Sequence, residues 1–165
     1  MKDDTLNEGT ANASRDKIFT VGSVFQHRKK SLTPFYFGDN FKNWIFEPNK
    51  EKTITIPDGM SPIKQYLLPG TINDTGIQKN TASKPMQTDT FWTILYCLFI
   101  DPTLGRELLN YEVAKDDVYI MHVNDGCVVR TLFISFSWSG GEWVLVAGPF
   151  DFKDNWSKNI IFLWL

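Results

Sequence analysis

Cysteine and histidine are scarce in this chain, with two of each in 165 residues. Cys97 and Cys127 stand 30 positions apart and no CxxC pair occurs. A disulfide-dense scaffold and a Cys/His zinc module are therefore both excluded by count. Long apolar runs are missing too. The longest, Phe91 to Ile100, covers ten residues, too few to cross a bilayer. No GxSxG elbow, P-loop, strand-following GxGxxG, HExxH or EF-hand loop is present. Nor does the polar start, Met1 to Lys17, hold the apolar stretch of a signal peptide. These absences make a soluble, cytoplasmic chain without membrane association, cofactor or metal the expectation.

Aromatic residues are abundant instead: thirteen Phe, six Trp and five Tyr, 15% of the chain. With 42% hydrophobic and 22% charged residues, the composition suits a globular domain with a sizeable core. The formal charge of −2 conceals an asymmetry. Residues 1–85 hold 12 Lys/Arg and 9 Asp/Glu, while residues 86–165 hold 5 and 10.

The patterning predicts an α+β fold over residues 18–165, preceded by a flexible tail at 1–17. Ile18 to Gln26, Trp44 to Phe46, Lys52 to Ile56 and Pro62 to Leu68 read as strands. Of these, Thr53-Ile54-Thr55-Ile56 shows the strict alternation of a half-buried strand. Pro69 to Thr90 reads as a long polar loop with few large apolar groups. Two helices are predicted around residues 89–111. Thr90 to Ile100 is apolar on almost all sides, with strand as its alternative, and Asp101-Pro102 supplies an N-cap and first-turn proline for the second. The end of the chain predicts a β-meander: Val118 to Val123, Cys127 to Trp138, Glu142 to Ala147 and Ile160 to Leu165, separated by Asn/Asp/Gly turns. The whole is expected to be an antiparallel, curved sheet. A β-barrel with a helical insertion is the alternative.

Three places could carry chemistry. The cations Arg28, Lys29 and Lys30 precede a cluster of aromatics that includes Tyr36 and Trp44, a combination that suits phosphates and stacked bases. The acidity of the chain argues against nucleic acid, and packing of these rings is the simpler reading. His122 sits within a predicted strand, near the expected positions of Val128 and Val129 with Arg130 and Glu112 in range, and could act as a general base beside acids. Cys127 flanks the same turn but has no neighbouring cation to activate its thiol, and both cysteines read as small buried hydrophobes. Asp58 with Asp151 and Lys153 superficially echoes a nuclease motif, yet these residues fall in predicted turns and loops. The resulting expectation is a non-enzymatic binding or protein-interaction module, with a protein or a second copy of the chain as partner. A hydrolase using His122 is the alternative, and single-stranded nucleic-acid binding through residues 28–30 the weaker one.

Overall fold

A computed structural model describes residues 17–27 and 34–165. The cations Arg28, Lys29 and Lys30 and the expected tail, except Lys17, lie outside the described residues. The fold is mixed α+β, built on a seven-stranded open sheet with a separate two-stranded ribbon. Strand β1 (Lys17–Thr20) pairs antiparallel with β3 (Thr53–Ile56) to make the ribbon. In β3 the alternation of threonine and isoleucine becomes an alternation of exposed and buried side chains.

The large sheet grows outward from a hairpin stack. Strands β6 (Tyr119–Asn124), β7 (Val129–Ser137) and β8 (Glu142–Pro149) form the antiparallel meander legible in the sequence. Beyond it the pairing is not antiparallel throughout. Strand β2 (Phe35–Phe37) joins β8 in parallel, and β5 (Met86–Gln87) and β9 (Ile161–Trp164) both join the far side of β6 in parallel. Strand β4 (Lys64–Leu67) then closes the order as an edge beside β9. The sheet is thus mixed rather than antiparallel and does not close into a barrel. Its parallel strands arrive through crossovers, which short turn signals do not announce.

Helices cover one face. A single turn, α1 (Val21–Val24), follows β1, and α2 (Asp39–Phe41) continues through π-helical and 3-10 turns to Asn49. The expected strand at Trp44 to Phe46 is therefore helical, because Phe41, Ile45 and Asn49 recur every four residues and bury on one side. The helix α4 (Thr88–Leu95) runs on through a π-helical turn to Ile100. Asp101 then caps α5 (Pro102–Leu109) by accepting from the Leu104 amide at 3.2 Å. Against these helices the sheet presents Tyr119, Met121, Leu132, Ile134 and Leu145 in the larger core.

The opposite face is covered only in part. Segment 69–90, expected as loop, contains α3 (Asp74–Thr81). Asn73 caps it, accepting from the Gly76 amide at 2.9 Å, and Ile77 anchors it with no exposed surface. The chain between β8 and β9 lies alongside: Trp156 donates its amide to Ile72 at 2.7 Å, and Asn159 donates to Leu68 at 3.1 Å. Leu68, Ile72, Ile77, Trp156 and Ile160 build a second, smaller core over Ile120 and Phe162.

Candidate functional site: a polar junction beside an aromatic groove

The second face holds its polar groups in one place. Asp74, the first residue of α3, has no exposed surface, and His122 of β6 is 2% exposed. An isolated buried carboxylate would be costly, but three donors converge on this one. Asp74 Oδ1 accepts from His122 Nε2 at 2.8 Å and from the Trp156 indole at 2.9 Å. Its Oδ2 accepts from the Asp151 amide at 2.8 Å. A carboxylate with no proton can only accept, so the imidazole carries hydrogen on Nε2 and turns Nδ1 toward Gln78, 3.5 Å away. Burial pushes the Asp74 carboxyl up, but the hydrogen bond and charge of His122, with the Asp151 amide and the Trp156 indole, outweigh it. The net effect holds Asp74 below the usual carboxylate range.

A second carboxylate locks the junction from outside. Asp151 accepts from the Thr75 amide at 2.9 Å and from the Thr75 hydroxyl, and its backbone takes a positive φ of 60°. The start of α3, strand β6 and segment 150–156 are thereby tied together.

The imidazole–carboxylate pair sought in the sequence thus exists, although its partner is Asp74 and not Glu112 or Arg130. Glu112 pairs with Arg106, and Arg130 pairs with Asp125. The longer hairpin loop places His122 opposite Thr131 rather than Val128 or Val129. The ring packs between Phe150 and Phe162, with centroid separations of 5.1 and 4.7 Å. Buried so, it presents no nitrogen to solvent. Cys127 lies exposed on the loop, contrary to its expected burial, while Cys97 is buried and desolvation pushes its thiol up to about 11.

The aromatic cluster behaves mainly as packing. Phe35, Phe37, Phe41 and Phe46 are core residues. Trp44 is half-buried beneath the Arg130 guanidinium, 3.9 Å from its ring, and Tyr36 meets the His27 ring at 5.0 Å. Both platforms expected for bases therefore already have intramolecular neighbours. Among the described residues, no group of three or more His, Cys, Asp or Glu side chains could hold a metal ion.

Trp156, one of the donors to the junction, also lines a concavity of about 670 Å³ on the incompletely covered sheet face. Its floor is Phe133, Val146 and Trp156, with Phe152 and Ile160 beside them. Phe133 and Val146 face each other across β7 and β8. The Trp156 ring lies nearly parallel to Phe133, 12° between planes, and meets Phe152 edge-on. Phe152 can settle there because residue 148 is glycine: a Cβ at Gly148 would lie 2.7 Å from its ring. Val146 and Phe152 remain 39% and 46% exposed despite their apolar character. Sequence reasoning missed this groove, since it is assembled from strands and a loop that no local motif connects.

Neither a known protein family, nor a curated protein, nor a solved structure matches this chain. Among the described residues, no helix is long and apolar enough to cross a membrane.

Proposed function

We propose that this chain is a non-enzymatic binding module whose ligand is a small apolar molecule received by the groove over β7 and β8. The observation that carries the reading is the exposure of Val146 and Phe152 above an aromatic floor held in place by a buried polar junction. Concave, mostly apolar surfaces of a few hundred cubic ångströms are the usual form of small-molecule sites. The junction supports the same reading in a different way. It fastens Trp156 by its indole, so the floor is formed before a ligand arrives and little ordering opposes binding. The burial of His122 favours this structural use of the Asp74–His122 pair over hydrolysis.

Equilibrium dialysis against 1-octanol, a neutral probe, tests the reading. Binding should be about millimolar, since an open groove recovers only part of roughly 0.8 kcal/mol per buried methylene. Val146→Lys places a charge on the groove without entering either core and should abolish it. Undiminished binding by that variant would refute the assignment.

Self-association is a second reading, favoured by a different surface. Trp138, at the tip of the β7–β8 hairpin, is 66% exposed, and large exposed aromatics are common anchors at interfaces. Sedimentation equilibrium of the wild type and Trp138→Ser tests it: a dimer mass lost in the variant supports it, a monomer mass in both removes it.

A further inference from the structure

The charges around the groove define the polar end of its ligand, an inference that rests on the binding reading above. The half of the chain from residue 86 onward contains only five cations against ten carboxylates. Two of the five are paired, Arg106 with Glu112 and Arg130 with Asp125. A third, Lys115, sits over the Phe136 ring at 4.6 Å. The remaining two, Lys153 and Lys158, both line the groove, and neither forms a salt bridge among the described residues. In an acidic half with carboxylates in excess, two of the three lysines without a salt bridge among the described residues stand beside the exposed apolar floor.

Both flank the floor, and the Lys153 ammonium is directed over it. Lys153 and Lys158 bracket Trp156 in sequence, three residues before it and two after. The Lys153 ammonium lies 5.9 Å from the centre of the Trp156 ring, over the floor rather than away from it. Lys158 is held close to Gly70, whose φ is +90°. A Cβ at Gly70 would stand only 3.1 Å from that of Lys158. Among the described residues, Asp116 is the one acidic side chain lining the groove, so these three charges leave one net positive charge.

We infer that the groove takes a small monocarboxylic acid, with its apolar body over Phe133, Val146 and Phe152 and its carboxylate between Lys153 and Lys158. One net positive charge suits a monoanion, and an ammonium beside an apolar surface suits a ligand that changes from apolar to anionic along its length. A neutral molecule would use the floor alone. A cationic one would meet both lysines.

Three probes with the same apolar body separate the possibilities: octanoate, 1-octanol and octylammonium, each titrated against the full chain at low salt. Octanoate should bind about five- to tenfold more tightly than 1-octanol, the scale of one or two partly exposed ion pairs. Octylammonium should bind most weakly. The octanoate advantage should vanish in the double variant Lys153→Met, Lys158→Met and at about 0.5 M salt, where exposed charges are screened. Both lysines are exposed, and a fluorescence melt of the variant verifies that the fold is retained. Equal binding of octanoate and 1-octanol would overturn the acid assignment while leaving the apolar groove intact. So would an octanoate preference that survives the double substitution. Binding of none of the three would overturn the groove itself.

Discussion

Asp74 is the residue on which most of the second sheet face depends. It satisfies two side-chain donors and one amide, drawn from strand β6 and from segment 150–156. Asp74→Asn keeps the size but replaces one acceptor by a donor, which must then face an N–H. The expected loss is about 2–4 kcal/mol, read from the urea midpoint at pH 7. The pH dependence has a definite sign. A carboxyl held below its unfolded value near 3.9 stabilises the fold fully above that pH. The contribution is lost as pH falls through the lower folded-state value. The stability gap between wild type and Asp74→Asn should therefore be open at about pH 5 and close as the pH falls below about 4. A gap that widened in acid would show that the carboxyl is not ionised when buried. The two cysteines, both expected to be buried, differ in the structure: Cys97 is buried and Cys127 exposed. Iodoacetamide should modify Cys127 alone in the folded protein, and Cys97 only after denaturation, as read by peptide mass spectrometry.

Among the elements, legibility followed local chemistry. The helix α5 was visible because Asp101-Pro102 states its start in two residues, and the β6–β7–β8 stack because turns and β-branched runs agree. The helix α3 was not visible. Its eight residues include one large apolar side chain, Ile77, and its stability comes from the Asn73 cap and from Asp74 meeting residues distant in sequence. Removing that cap in Asn73→Ala should cost about 1 kcal/mol and raise amide exchange across 74–81 more than in α5. The break between α4 and α5 has its own requirement. A side chain at Gly105 would run into the Cys97 carbonyl, so the two helices pack with backbone against backbone. Gly105→Ala should destabilise by about 1–3 kcal/mol, seen as a lower thermal midpoint.

At the scale of the whole molecule, the mixed sheet was the part beyond reach of the sequence. Hairpins are specified by the residues between their strands, whereas β2, β5 and β9 find their parallel partners only after long excursions. The groove inherits that difficulty. Its floor combines Phe133 of β7, Val146 of β8 and Trp156 of the last crossover, and its two lysines gain meaning only once the fold sets them beside that floor. His122 was legible as a residue of interest, but its partner lay in a segment that reads as loop. The chain packs most of its helices on one sheet face and leaves part of the other open, and that open part is where binding is proposed. The most direct test is an amide and indole NMR titration of the full chain with 1-octanol. The shifts should concentrate at Phe133, Val146, Phe152 and the Trp156 indole N–H, with the helix-covered core unmoved. Shifts confined to any other surface, or no shifts at all, would contradict it.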